Sequence, residues 1–125
     1  MKYQFEEFTQ TGRKASSTPL VSITRAGNLN LNQAFMEAFV KGEKYCILYY
    51  DKTNEAIGLK LTNEKKHNSY SLRSYRGDKI ASITAIAFLK YHGIPFGKGK
   101  HSAPYEVEWS EENQMIIVDL NKPIK

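Results

Sequence analysis

The sequence predicts one α+β domain of about eight strands and two short helices, built as two related units with pseudo-twofold symmetry. Three observations lead to this prediction. Two hairpin-like segments share one residue pattern, a short helical segment precedes each hairpin, and a strand with a glycine turn precedes each helix. The units are residues 21–61 and 70–120, and residues 1–20 form an N-terminal arm. A chain of 125 residues has the length of a single domain.

The hairpins span residues 45–61 and 105–120 and correspond at an offset of 59 positions. Asn54 and Asn113 take the same place late in each turn, where Asn tolerates a left-handed backbone. Apolar residues also recur at matching positions, so that one side of each hairpin is expected to face the interior. These positions are Leu48, Tyr50, Ile57, Leu59 and Leu61 in the first hairpin, and Val107, Trp109, Ile116, Val118 and Leu120 in the second.

Polar capping residues indicate where the helices begin. Asn32 is the candidate N-cap of a helix over residues 33–40, because its side chain can accept a backbone N–H of the first turn. For the second helix, which is expected to end near His92, Ser82 is the candidate cap and Thr84 is the alternative. The segment 70–76 before it is expected to be one strand.

Composition limits the class of protein. The net charge of +5 and the isoelectric point near 9.3 favour a polyanionic partner such as nucleic acid. Cys46 is the only cysteine, which excludes an intramolecular disulfide and fits a reducing compartment. The chain contains no apolar run of the length of a signal peptide or membrane span, so that we expect a cytoplasmic protein without a membrane partner.

Few residues suggest catalysis. The three histidines, His67, His92 and His101, have no spacing to one another or to Cys46 that matches a metal site. Residues 97–102 resemble a phosphate-binding loop but lack its first glycine and its Ser or Thr after the lysine. The expectation is therefore a protein that is not an enzyme and that holds no metal or other cofactor.

A basic and aromatic strand favours nucleic-acid binding. Alternation places Arg73 and Tyr75 on one face, where a base can stack and a phosphate can pair; an ordinary Tyr–Arg pair on a sheet surface is the open alternative. Arg25 and Arg76 lie in the glycine turns that precede the two helices. The candidate contacts are Arg13, Lys14, Arg25, Asn28, Lys60, Arg73, Tyr75, Arg76 and Lys79.

The run from Val21 to Phe35 resembles the swapped-hairpin DNA-binding proteins of the AbrB/MazE type. The matching apolar and glycine positions are Gly27, Leu29, Leu31, Phe35 and Phe39, and residues 45–61 match the closing hairpin. Asn32 stands where that family usually has proline, and Asn28 where a basic residue is usual. The resemblance implies an intertwined barrel, here within one chain, that presents Arg25 and the turn at Gly27 to duplex DNA, with Arg76 equivalent by the repeat.

A second resemblance leads to a different mode of binding. Read cyclically, the order of elements is similar to that of Whirly-type single-stranded-DNA-binding domains, in which exposed sheet faces hold the strand. That resemblance implies contacts from Tyr45, Tyr49, Lys60, Arg73 and Tyr75. We therefore expect a DNA-binding protein of regulatory type, with the preference for duplex or single strand left open.

The alternative class is a protein-interaction or oligomerisation module that binds no nucleic acid, for example a homodimer. It is suggested by apolar residues on the outward faces of the hairpins, namely Ile47, Tyr49 and Ile117. If both faces of a sheet are apolar, a helix or a partner must cover the second face.

Overall fold

The computed structural model describes residues 18–77, 79–97 and 103–123. Within them the chain forms nine strands and two helices. The helices are α1 (Gln33–Phe39) and α2 (Ile86–Tyr91). The strands are β1 (Leu20–Ile23), β2 (Asn28–Leu31), β3 (Tyr45–Asp51), β4 (Ala56–Thr62), β5 (Ser69–Ser71), β6 (Arg73–Tyr75), β7 (Ile80–Thr84), β8 (Ala103–Ser110) and β9 (Met115–Pro123). Arg13 and Lys14 lie outside the described residues.

All nine strands form one antiparallel sheet in the order β5-β3-β4-β9-β8-β1-β2-β7-β6. The two outermost strands are consecutive in the chain, with only Leu72 between them, so that the sheet is a nearly closed barrel. The Leu72 N–H donates to the carbonyl of Lys44 at 2.9 Å, which holds the junction against the segment before β3. The mostly antiparallel sheet with its two helices fits the predicted α+β class, and the expected strand over 70–76 is divided in two at Leu72.

The core lies inside this barrel. Strands β1, β2 and β7 contribute alternate aliphatic residues that are almost wholly buried, as do β4 and β9, while the helices add Phe35, Met36, Phe88 and Leu89. An antiparallel sheet with one face against a core shows this alternation of buried and exposed positions. The buried strand residues are Val21, Ile23, Leu29, Leu31, Ile57, Leu59, Ala81, Ile83, Ile116 and Val118.

Helix α1 begins as the sequence predicts. The Asn32 side chain accepts the Phe35 N–H at 2.9 Å and also accepts the Leu20 N–H at 2.9 Å. The same side chain donates from its amide nitrogen to the Thr18 carbonyl. Asn32 therefore both caps the helix and ties β1 to the helix start.

The predicted start of α2 is wrong. Ser82 and Thr84 belong to β7, and Ala85 precedes the helix without any side-chain cap. The reason is pairing: Ser82 lies between Asn30 of β2 and Arg73 of β6 in the sheet, which takes precedence over its capping tendency. At the other end, Gly93 adopts φ 69° and the Ile94 N–H donates to the Leu89 carbonyl at 2.9 Å.

The two hairpins have matching registers. Leu48 pairs with Leu59 in the first, and their counterparts at the offset of 59, Val107 and Val118, pair in the second. The expected interior residues are buried or packed against the core, with one exception. Trp109 is 44% exposed, because it lies at the end of β8, where its indole N–H donates to Glu111 at 3.0 Å.

The hairpin turns also match each other, although the left-handed residue is not the predicted one. Positive φ occurs at Glu55 (52°) and Gln114 (53°), one position after each Asn. The two Asn side chains instead hydrogen-bond the start of the turn: Asn54 Nδ2 donates to Asp51 Oδ2 at 2.7 Å, and Asn113 Nδ2 donates to Ser110 Oγ at 3.1 Å. Asn is thus used here for its side chain and not for its tolerance of positive φ.

Gly27 is a position where only glycine fits. It has φ 87°, and a Cβ there would lie 2.5 Å from Ile86 Cγ1 and 2.9 Å from Phe96 Cε2. We expect Gly27→Ala to lower the free energy of unfolding by about 2–4 kcal/mol, from left-handed strain and overpacking together. Gly77→Ala is the control, because Gly77 has φ 66° with no atom near its Cβ position; it should cost about 1 kcal/mol. Equal losses in urea unfolding would contradict the packing argument.

The Asp51 turn predicts a specific pH dependence. Hydrogen bonds from the Asn54 side chain and backbone hold the pKa of the Asp51 carboxyl below its usual value of about 4. A lowered pKa in the folded state contributes stability above the unfolded pKa, and this is lost as the pH falls through the folded pKa. Asp51→Ser, which copies Ser110 of the other turn, should keep the turn but flatten the acid limb of stability against pH. Unfolding curves between about pH 5 and 2 check this, and an unchanged acid limb would contradict it.

Candidate nucleic-acid interface

Eight of the nine strands, all but β5, divide into two halves of the barrel wall whose outer faces differ in chemistry. We call β1, β2, β7 and β6 the polar half, and β3, β4, β9 and β8 the acidic half. Arg73 is the only charged residue in the strands of the polar half. The strands of the acidic half carry four carboxylates and two lysines, namely Asp51, Glu106, Glu108, Asp119, Lys60 and Lys122.

A row of polar side chains crosses the outer face of the polar half. Ser22 pairs with Asn30, Asn30 with Ser82, and Ser82 with Arg73. Residues directly opposite in an antiparallel pair point to the same face, so that these four side chains form one line across four strands. The buried neighbours on β1, β2 and β7 point the other way, into the core.

Tyr75 stands beside this row on β6 and is 49% exposed. It shares its face with Arg73, as the alternation in the sequence predicts, and it pairs with Ile80. A shallow groove of about 390 Å³ runs between Tyr75 and the row. Its lining consists of Ser22, Asn28, Asn30, Leu31, Asn32, Tyr75, Ile80, Ala81 and Ser82, without a charged residue.

Cation-bearing turns flank the polar half at opposite ends. The β1–β2 turn carries Arg25, and its last residue, Gly27, accepts the Ala85 N–H at 2.9 Å, which fixes the turn to the start of α2. The β6–β7 turn carries Arg76 and Lys79, with Arg76 at φ 54°. Because β2 and β7 run antiparallel, one turn lies beyond each end of their pairing. Along the strands the Arg25 and Arg76 turns are roughly 20 Å apart, because six residue positions of about 3.3 Å each separate them in the β2–β7 register.

The structure brings most of the predicted contact residues to one half of the barrel. Arg73 and Tyr75 lie on the outer face of β6, Arg76 and Lys79 in the turn after it. Arg25 and Asn28 lie at the other end, where the Asn28 N–H donates to Thr24 Oγ1 at 3.1 Å. Lys60 is exposed on β4 and belongs to the acidic half, away from the others.

Some residues of this face were missed by the sequence reasoning. Asn30 and Ser82 occupy the middle of the polar row, and Ser22 its end. A signal was present, because Asn28, Asn30 and Asn32 alternate with buried leucines. Strand alternation alone does not mark these residues as a binding face, and the capping tendency of Ser82 favours a helix start over a strand.

Cys46 is fully buried, and desolvation raises its pKa to about 12, which keeps the thiol protonated and unreactive at neutral pH. No group of three His, Cys, Asp or Glu residues within the described ranges could hold a metal ion. No helix in this part of the chain has both the length and the apolarity to cross a membrane.

Comparisons with models of protein families, with curated proteins and with solved structures gave no match for this chain.

Proposed function

We propose that this protein is a non-catalytic DNA-binding protein, of regulatory type, that applies its polar half to duplex DNA. The separation of charge between the two halves of the barrel is the observation that supports this most. A polyanion is repelled by the carboxylates of the acidic half and attracted to the cationic turns of the polar half. Lys60 is left out of the interface, since it lies on β4 in the acidic half.

A pseudo-twofold relation between units 21–61 and 70–120 is part of the proposal. At the offset of 59 positions Gly58 corresponds to Ile117, and these two residues pair with each other in β4 and β9. The pairs beside them exchange under the same offset; they are Ile57–Val118 and Leu59–Ile116. These registers are what a twofold axis through the Gly58–Ile117 pair requires.

The pairing of β2 with β7 is symmetric in the same way, although at an offset of 52 positions and not 59. Asn30 pairs with Ser82. A twofold rotation about this pair maps each of the two neighbouring pairs onto the other. Those neighbours are Leu29–Ile83 and Leu31–Ala81. An axis through Asn30 and Ser82 places the Arg25 and Arg76 turns symmetrically on either side of the polar row.

The content of the polar half favours duplex over single-stranded DNA. Single-strand binders stack successive bases on several aromatic side chains. Tyr75 is the only aromatic residue in the four strands of this half. Ser and Asn side chains, which dominate the row, are donors and acceptors suited to phosphates and groove edges.

Charge reversal on β6 tests the interface. Arg73→Glu with Arg76→Glu should weaken binding of a labelled duplex at least about tenfold at low salt, because two cations near phosphates become anions. Fluorescence anisotropy measures this, with the corresponding single strand as a second ligand. Lys52→Glu with Lys122→Glu is the matched control, because both lysines are exposed in the acidic half and the change in charge is the same.

Three outcomes would contradict the proposal. An equal loss in the control pair would show that net charge, not the polar half, governs binding. Tighter binding to the single strand than to the duplex would show that the protein prefers single-stranded DNA. Failure of the unchanged protein to bind either ligand would remove the function.

The pseudo-twofold arrangement predicts equal roles for the two turns. Arg25→Ala and Arg76→Ala should each reduce the slope of log K against log salt by about 0.9, one phosphate contact each. Lys52→Ala should leave the slope unchanged. A reduction in only one of the two variants would contradict a symmetric placement of the turns on the duplex.

A further inference from the structure

The acidic half carries a groove that DNA binding does not use. It lies across the outer face of β3, β4 and β9 and encloses about 610 Å³. Tyr49, Met115 and Ile117 form its apolar base, and the rest of its lining is mostly polar, including Thr53, Asn54, Asn113 and Asn121. Carboxylates surround this base. They are Asp51, Glu108 and Asp119, and we call the whole surface the acid-rimmed groove.

Strand register explains why the base is exposed and shallow. Tyr49 pairs with Gly58 and Gly58 pairs with Ile117, so that all three point to the outer face. Gly58 has no side chain there, and Met115 lies across it with Sδ 2.6 Å from the position a Cβ would take. Tyr49 remains 43% exposed beside it, while Ile47, further along β3, is buried. On β3 the exposed apolar surface is therefore that of Tyr49, at this groove.

The rim has more negative charge than its neighbours neutralise. Glu108 pairs with Ile117 across β8 and β9, and Asp119 pairs with Ala56, so that both carboxylates stand directly beside the apolar base. Asp119 has one cation nearby, Lys122, at 4.0 Å. No salt bridge joins Asp51 or Glu108 to a cation within the described residues. An apolar surface between uncompensated carboxylates fits a ligand that is apolar and cationic together.

We propose that the acid-rimmed groove docks a basic polypeptide segment of a partner protein, in which lysine or arginine residues alternate with apolar ones. Such a segment places its apolar side chains on Tyr49 and Ile117 and its cations against the rim. It lies on the face of the sheet, since the nearly closed barrel offers no long free edge for an added strand. This proposal does not depend on DNA binding, because the two surfaces lie on different halves of the barrel.

The probe is a short labelled peptide of alternating lysine and leucine, titrated against the full chain by fluorescence anisotropy at low and moderate salt. Two comparison peptides separate the contributions: one has glutamate for lysine and the other has serine for leucine. We expect the lysine–leucine peptide to bind at least about tenfold more tightly than either comparison peptide, since the site requires both charge and apolar area.

Paired variants locate the site. Glu108→Gln with Asp119→Asn should weaken the peptide about tenfold, whereas Glu64→Gln with Glu112→Gln, an equal change in charge at exposed positions outside the groove, should change it less than about twofold. Tyr49→Ala should weaken binding by a similar factor. Tyr91→Ala is its control, because Tyr91 is 85% exposed on α2 and outside the groove.

Several results would overturn the proposal. One is equal weakening by the two carboxylate pairs, which would indicate general attraction to an acidic protein. Another is tight binding of the serine peptide, which would leave the apolar base without a role. A third is concentration-dependent self-association in light scattering that both Tyr49→Ala and Arg73→Glu abolish, because the occupant would then be a second copy of this chain.

Discussion

The alternation of side chains along antiparallel strands is the constraint on which this molecule depends. Every core-forming strand has one face filled by aliphatic residues, and a shift of one residue would move that whole set to water. The registers of β2 with β7 and of β4 with β9 are therefore fixed by the interior. Once the register is fixed, the residues on the outer face are fixed as well. The polar row and the acid-rimmed groove are formed by the outward-facing residues of strands whose other face forms the core.

Because core-facing positions hold no charged side chain, the charges of the strands lie on the outer face. The two halves of the barrel differ in which charges stand there. Arg73 is the only charge in one set of four strands, while four carboxylates stand in the other. A molecule charged in this way turns in the field of a polyanion before contact. Orientation thus comes from the placement of a few side chains, although the net charge of +5 is modest.

Local patterns in the sequence predict some of this structure and miss the rest for physical reasons. The hairpin faces and the Asn32 cap depend on residues close in sequence, and they are confirmed. Ser82 is wrong as a cap because its place is decided by strands β2 and β6, which are distant in the chain. Trp109 follows the apolar pattern, yet it is half exposed because an indole N–H at a strand end finds its acceptor in Glu111. The location of Lys60 in the acidic half likewise depends on the order of strands in the sheet, and residue periodicity along the chain does not determine that order.

The pairing of β1 with β8 has a consequence for how the chain acquires its structure. Leu20 lies opposite Glu106 and Val21 opposite Tyr105, so that the barrel joins segments more than eighty residues apart. Contacts between segments so far apart in the chain carry a large loop-closure entropy. This junction of the barrel is therefore expected to form slowly relative to the hairpins, whose strands are neighbours in the sequence.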